Sequence, residues 1–133
     1  MAEKKNQLLK ISLVLYAIIT LAYGVIYLFF PEFQIEITGG EPILAGWIRW
    51  IGGVLLALGI GSIMIFRNPV KQGIFVTSLC IGALLVALTL FYEVIFIMDD
   101  SFNMLSTLIP AIVLAINSIL FWLSLRQSKE ILW

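Results

Sequence analysis

Long runs of apolar residues, separated by short polar segments, dominate this chain. A helix needs about 20 apolar residues to cross the hydrocarbon core of a bilayer. The pattern therefore predicts four membrane-spanning helices, at approximately 8–30, 43–66, 73–98 and 104–125. Because the connections between them are short, consecutive helices should be antiparallel neighbours in one bundle. We predict an all-α membrane protein in which residues 1–133 form a single four-helix transmembrane domain.

Polar and small residues recur on one face of each predicted helix when the chain is placed on a helical wheel. These faces carry Ser12, Tyr16, Thr20, Tyr23 and Tyr27 in the first span, Ser78, Gly82, Thr89 and Glu93 in the third, and Ser106, Pro110, Asn117 and Ser124 in the fourth. Hydrocarbon offers no hydrogen-bond partners, so the faces should turn inward. The result is either a polar pocket between the helices or inter-helix hydrogen bonding with no cavity.

Two ionisable residues, Arg49 and Glu93, lie inside the apolar runs. Each charge costs roughly 2.5 to 3.5 kcal/mol at mid-helix, which favours mutual pairing. At about 1.5 Å per residue, Arg49 lies about 9 Å and Glu93 about 8 Å from the outer helix ends. We expect an ion pair, either structural or involved in handling a ligand or a proton. Nearby Trp50 belongs either to an interfacial aromatic belt or to the mouth of a pocket.

Charged residues are segregated along the chain, and this predicts its orientation. Hydrophobic residues make up 62% and charged residues 12% of the sequence, which is typical of an integral membrane protein. The basic residues of one side are Lys4, Lys5, Lys10, Arg67, Lys71, Arg126 and Lys129, and the acidic residues of the opposite loops are Glu32, Glu36, Glu41, Asp99 and Asp100. Both termini should therefore be cytoplasmic. The first span ends in Pro31 without a small-residue cleavage site, so we expect it to be retained.

The residue types that are missing exclude several chemistries. The chain has no histidine and one cysteine, Cys80. Histidine-ligated haem, histidine metal sites and histidine-activated nucleophiles are thus excluded, as is chemistry on paired thiols. We expect no catalytic residue, no bound metal, no cofactor and no nucleic-acid partner.

Two further segments allow alternatives. The outer segment 31–42 alternates apolar and polar residues, which is typical of a connecting loop or of a short strand-like or interfacial lid. The second span carries a small-residue ridge that consists of Ala45, Gly53, Ala57 and Gly61. Such ridges allow helix backbones to approach closely. The ridge would pack within the bundle or form the face of a homodimer.

The second span and its flanks resemble a known family. Pro31, Gly39, the run Ile48-Arg49-Trp50-Ile51-Gly52-Gly53-Val54-Leu55-Leu56-Ala57-Leu58-Gly59-Ile60-Gly61 and the turn Arg67-Asn68-Pro69 are similar to the DoxX-like group of small four-helix membrane proteins. The resemblance implies a four-span inner-membrane protein, and some DoxX-like members are associated with quinone-linked oxidoreductases or membrane redox complexes. Only Arg49, Gly52 and Gly53 carry over by position, and the family has no agreed catalytic residues.

These observations favour a protein of a bacterial-type inner membrane that binds a small amphipathic molecule. One cation and one carboxylate beside tyrosines in an apolar shell are typical of a small-molecule site. We expect a lipid or a quinone in a pocket open to the extracytoplasmic side. The predicted ligand-binding residues are Tyr16, Thr20, Tyr23, Arg49, Trp50, Thr89, Glu93 and Asn117. The alternatives are an accessory subunit of a membrane complex, with another membrane protein or a second copy as partner, and a proton-coupled transporter.

Overall fold

The computed structural model describes residues 2–39 and 45–133, and these are 88% helical with no strand among them. Within these ranges six α-helices follow one another: α1 (Ala2–Phe29), α2 (Pro31–Thr38), α3 (Ala45–Arg67), α4 (Gly73–Tyr92), α5 (Met104–Gln127) and α6 (Lys129–Leu132). A π-helical turn, Glu93–Ile97, continues α4. Glu41 and the start of the predicted second span lie outside the described residues, as do the side chains of Lys4, Lys5 and Ala45.

Four helices are long and apolar enough to cross a membrane, which confirms the predicted number of spans. Their apolar segments are Asn6–Phe29, Gly46–Arg67, Gly73–Ile97 and Met104–Gln127. Large apolar side chains cover their outer surfaces, as Met64, Ile74 and Phe96 illustrate, each more than 60% exposed. Water would penalise so much exposed apolar surface, whereas lipid accommodates it.

The outer segment that follows α1 is a helix, so the predicted connecting loop and the predicted strand-like lid are both wrong for Pro31–Thr38. Pro31 occupies the first helical turn, where the missing N–H costs nothing. Gly39 ends the helix in the left-handed conformation, with φ of 77°, and donates a hydrogen bond to the Ile35 carbonyl. The end signals at Pro31 and Gly39 override the alternating pattern between them.

Each spanning helix packs mainly on α1 or α5. The helix α1 contacts both α3 and α5, and α5 also contacts α4. By contrast, α3 and α4 do not pack along each other, although they are consecutive in the chain. The expectation that all consecutive spans are neighbours is therefore wrong for this pair. The reason is that α3 packs on α1 and α4 packs on α5, while α1 and α5 pack on each other between them.

Glycines and a serine allow α1 and α3 to approach closely. A Cβ atom at Gly52 would lie 2.5 Å from the Leu28 backbone nitrogen, and one at Gly59 would lie 2.9 Å from the Thr20 hydroxyl. Further along, the Ser62 hydroxyl donates to the Leu13 carbonyl at 2.9 Å. The contact face of α3 is thus the Gly52 face and not the ridge that Gly53, Ala57 and Gly61 form.

The small-residue ridge points outward. A Cβ atom at Gly53 or Gly61 would meet nothing within 4 Å. The alternative in which this ridge packs within the bundle is therefore wrong for its described side chains. Gly52 and Gly59 form the face of α3 that contacts α1.

The two ends of the bundle differ in charge and in packing. At the basic end, which holds Lys10, Arg67, Lys71, Arg126 and Lys129, the Lys71 N–H donates to the Ile131 carbonyl at 2.9 Å. The core there includes Leu9, Leu13, Ile65, Val76, Phe121 and Leu132. At the acidic end, which holds α2 and residues 98–103, the Asn103 N–H donates to the Thr38 carbonyl at 2.9 Å. The bundle is well packed toward the basic end and contains cavities toward the acidic end.

Candidate functional site

A cavity of about 230 Å³ lies between the four spanning helices, and we call it the inner cavity. Its wall comprises Tyr16, Ile19, Thr20, Tyr23 and Tyr27 of α1, Gln34 of α2, Ile51, Leu55 and Leu58 of α3, Gly82, Ala83, Val86 and Leu90 of α4, and Ser106, Thr107, Pro110 and Leu114 of α5. None of these side chains is charged. The wall is mainly apolar, with a few hydroxyl groups and one amide, which is the usual composition of a small-molecule site.

The inner cavity exists because α3 and α4 stand apart. Each of them packs on a different central helix, so the space between them is left to side chains. On α4 that space is bordered by the small residues Gly82 and Ala83, and a Cβ atom at Gly82 would meet nothing within 4 Å. Ile51 of α3 and Val86 of α4 line the cavity yet are 40% and 46% exposed. The cavity therefore reaches the surface of the bundle between these two helices.

Three tyrosine hydroxyls are among the free polar groups of the inner cavity. The ring of Tyr16 packs edge-on against Phe121 at 5.5 Å, and the rings of Tyr23 and Tyr27 pack edge-on at 5.6 Å. These contacts fix the rings, while their hydroxyls form no hydrogen bond to any described residue. Thr20 differs, since its hydroxyl donates to the Tyr16 carbonyl at 2.6 Å. The three tyrosine hydroxyls are thus able to bond to a guest, whereas the Thr20 hydroxyl donates its hydrogen to its own helix.

A second cavity of about 270 Å³, here called the outer cavity, lies at the acidic end. Tyr27, Gln34, Leu90 and Thr107 border both cavities, so the two are adjacent. Glu93 lines the outer cavity and is half-buried. It lies one turn beyond Leu90 on α4, at the start of the π-helical turn, where its carbonyl accepts a hydrogen bond from Met98 at 2.9 Å. Such turns occur frequently at functional sites.

Arg49 does not pair with Glu93, so the predicted ion pair is wrong. Its Nη2 atom lies 3.4 Å from Oε1 of Glu32, and both side chains are largely exposed. Two features explain the difference. The neighbouring Ile48 and Gly52 take the inward positions of α3, which turns Arg49 outward. In addition, the helical form of α2 brings an acidic residue to it that a loop prediction could not place.

The remaining predicted site residues lie in different places. Tyr16, Thr20 and Tyr23 line the inner cavity, whereas Trp50 and Thr89 are exposed and line neither cavity. Trp50 packs edge-on against Trp47 at 6.4 Å, and the Thr89 hydroxyl donates to the carbonyl of Leu85 at 2.9 Å. The structure thus brings together three predicted residues in one cavity, with Glu93 in the next.

Asn117 is 1% exposed, and neither its amide oxygen nor its amide nitrogen has a hydrogen-bond partner among the described residues. It lies one turn from Leu114, on the buried face of α5, and borders neither cavity. An unpaired buried amide in a native structure calls for a physical explanation.

Several wall residues were absent from the predicted site. Gln34 was missed because it belongs to α2, and its one-turn spacing to Thr38 between Pro31 and Gly39 was the available signal. Tyr27 and Gly82 were on the predicted polar faces but not among the predicted ligand contacts. The apolar wall on α3, including Leu55, had no signal in the sequence because a cavity-facing leucine looks the same as a lipid-facing one.

The Asp99 carboxylate lies at the acidic end, outside the spans. The backbone N–H and the hydroxyl of Ser101 both donate to Asp99, and these hydrogen bonds lower the pKa of the Asp99 carboxyl. Among the described residues, no group of three or more histidine, cysteine, aspartate or glutamate side chains could hold a metal ion.

Comparisons of the chain with family models, curated proteins and solved structures found no match.

Proposed function

We propose that this chain is a four-span protein of a bacterial-type inner membrane that binds a small amphipathic molecule, a lipid or a quinone, between its helices. The observation that carries the proposal is the inner cavity, where three tyrosine hydroxyls without described partners face an uncharged and mainly apolar wall. An amphipathic guest would fill the apolar space and satisfy the hydroxyls. An ion would find no charged group there.

The orientation we propose has antiparallel spans and both termini in the cytoplasm. Contacts between α1 and α3 support it, since Leu13 meets Ser62 whereas Leu28 meets Gly52. The charges support it as well, because basic residues gather at one end of the bundle and acidic residues at the other. Both cavities would then lie toward the extracytoplasmic side.

The size of the cavities limits how the guest is held. Small-molecule sites usually measure about 300–1,000 Å³. The inner cavity, at about 230 Å³, is smaller than this range and would hold only part of a lipid or quinone. The opening between Ile51 and Val86 gives the rest of such a molecule a path into the bilayer. We therefore propose lateral entry between α3 and α4.

The experiment uses Gly82, where a larger side chain can fill the inner cavity without a backbone clash. Purified and delipidated protein is titrated with individual phospholipids and quinones, and the thermal unfolding temperature is measured. We expect at least one of them to stabilise the wild type and Gly82→Leu to abolish that stabilisation. Gly53→Leu is the matched control, because Gly53 has the same open surroundings on the outer surface of α3. If no amphiphile stabilises the wild type, or if Gly82→Leu responds as the wild type does, the proposal fails.

A second candidate function is that of an accessory subunit or homodimer, and the outward ridge of Gly53, Ala57 and Gly61 favours it. Small residues of this kind let a second helix approach closely. The mass of the detergent-solubilised protein tests this candidate. A dimer that Gly53→Leu converts to a monomer would support it, and a monomeric wild type would contradict the homodimer. Because this readout is oligomeric mass, it is independent of the stabilisation by amphiphiles.

A further inference from the structure

The outer cavity contains a carboxylate without a cation. Glu93 is half-buried there, and no described basic group lies within ion-pair distance of it. The nearest candidate in the sequence, Arg49, pairs with Glu32 instead. An unpaired carboxylate in a span is costly, and a water-filled pocket or a bound counter-ion relieves that cost. The arrangement leaves room for a cation that the described part of the chain does not supply.

The other polar groups of the outer cavity include acceptors for a hydrogen-bond donor. The side-chain amide nitrogen of Gln34 donates to the Thr38 hydroxyl at 3.2 Å. That hydroxyl donates to the backbone carbonyl of Gln34 at 2.9 Å. The Thr38 hydroxyl hydrogen and one of the two N–H groups of the Gln34 amide are therefore used within α2. The groups that remain include three acceptors, the amide oxygen of Gln34 and the two carboxylate oxygens of Glu93, and the hydroxyls of Tyr27 and Thr107, which can donate or accept. Glu93 is the charged group among the residues that line this cavity, so a cationic donor can form an ion pair there that a quinone carbonyl, which only accepts, cannot form.

The two cavities together can hold a molecule with a polar head and an apolar chain. Tyr27, Leu90 and Thr107 border both, so a guest could extend from the acidic end into the inner cavity without leaving the protein. Its head would lie beside Glu93 and its chain beside the apolar wall of α3 and α4. This arrangement follows the direction of a bilayer lipid in the outer leaflet.

We propose, on the basis of the proposed function, that Glu93 is the counter-ion of an ammonium head group. The ligand would then be an amphiphile with a primary ammonium. A primary ammonium offers three N–H donors to the carboxylate and the amide oxygen. Among membrane lipids this chemistry is that of phosphatidylethanolamine. Phosphatidylcholine carries the same charge on a quaternary nitrogen that has no donor, and it is therefore the informative comparison.

The test measures apparent affinity from thermal stabilisation of delipidated protein by phosphatidylethanolamine, phosphatidylcholine and phosphatidylglycerol with identical chains, and by a menaquinone. A long-chain alkylamine and the corresponding alcohol distinguish a lipid head group from a simpler ammonium amphiphile. We expect the wild type to prefer the primary ammonium lipid at least about tenfold, because charge-assisted hydrogen bonds are worth more than neutral ones. Glu93→Gln should reduce this preference and keep the contribution of the chains.

Glu32→Gln serves as the matched control, since Glu32 is an exposed carboxylate at the same end of the bundle. It should keep the preference of the wild type. Equal stabilisation by all phospholipids, or an unchanged preference in Glu93→Gln, would overturn the inference while leaving the binding function in place. Tighter binding of the quinone than of any ammonium amphiphile would also overturn it. If none of the molecules stabilises the protein, the proposed function itself fails, and the inference fails with it.

Discussion

Arg49 of α3 forms an ion pair with Glu32 of α2, with 3.4 Å between Nη2 and Oε1. The two side chains are 51% and 70% exposed, so water and salt screen their attraction. The pair joins the short outer helix to the second spanning helix at the acidic end. It also leaves Glu93, the carboxylate inside the bundle, without a partner among the described residues.

Removing the pair should change stability only slightly. Exposed ion pairs are typically worth about 0.2–1 kcal/mol, far less than the 3–5 kcal/mol lost when a buried pair is broken. We expect Arg49→Leu, Glu32→Leu and the double variant to show a coupling energy within this lower range, measured by thermal unfolding in detergent at low salt. A coupling of several kcal/mol would contradict an exposed pair. Glu93→Leu combined with Arg49→Leu is the control, and its effects should simply add.

Adjacent glycines on α3 should respond oppositely to the same substitution. A Cβ atom at Gly52 would lie 2.5 Å from backbone of Leu28, so Gly52→Ala must separate α1 from α3, at a cost of about 1–3 kcal/mol. At Gly53 the same methyl group meets nothing, and alanine should stabilise the helix by about 0.5–1 kcal/mol. Thermal unfolding of the two variants checks this. If both variants lose stability equally, the assignment of Gly52 to the contact between α1 and α3 is wrong.

The four spans were predictable because hydrocarbon imposes a minimum length on an apolar helix, and that length can be counted in the sequence. The helix faces that contact each other were harder to predict. Gly52 and Gly53 are adjacent and chemically identical, so the sequence could not tell which of them meets α1. The rotation of α3 about its own axis decides this, and that rotation depends on packing across the whole bundle. For the same reason the gap between α3 and α4 was not foreseen.

The polar face of α1 predicted three wall residues of the inner cavity, Tyr16, Thr20 and Tyr23, because tyrosines at helical spacing need space and hydrogen-bond partners. The ion pair predicted from the depth estimate did not form. Depth along the membrane normal says nothing about direction around a helix, and Arg49 points outward to Glu32. Gln34 could not be predicted as a wall residue until α2 was known to be a helix.

The orientation can be tested by labelling single cysteines in a background in which Cys80 is replaced by alanine. Seven basic residues on one side and none in the opposite loops predict that residue 71 is cytoplasmic and residue 99 is outside. We expect an impermeant thiol reagent to label Asp99→Cys in intact cells and to label Lys71→Cys only after the cells are opened. The reverse pattern would overturn the orientation.

Asp99 should titrate below the ordinary range of an aspartate. The Ser101 hydrogen bonds stabilise its charged form and lower its pKa, so their contribution to stability is present above the unfolded-state pKa of about 3.9 and is lost as the pH falls through the lower folded-state value. Ser101→Ala removes one of the two donors and should raise the pKa of Asp99. Titration of a carboxylate-labelled sample by NMR measures it. An identical pKa in the variant would show that the hydroxyl has no part in the shift.

Asn117 should be replaceable by leucine with a gain in stability. Its amide is buried on α5 and has no partner in the part of the chain that the structure describes, and burying such a group typically costs about 1–3 kcal/mol. Leucine has the same branching as asparagine, is somewhat larger and carries no polar atom, so Asn117→Leu should raise the unfolding temperature. Its neighbour Ser118 supplies the contrast. The Ser118 hydroxyl donates to the Cys80 carbonyl at 3.1 Å, so Ser118→Ala should lower stability by about 0.6 kcal/mol, the average for such bonds between membrane helices.

A large loss of stability in Asn117→Leu would contradict this prediction. It would mean that the amide has a partner in the membrane, either a bound water or a guest that extends beyond Leu114. If delipidated protein shows the same loss, the partner is the water.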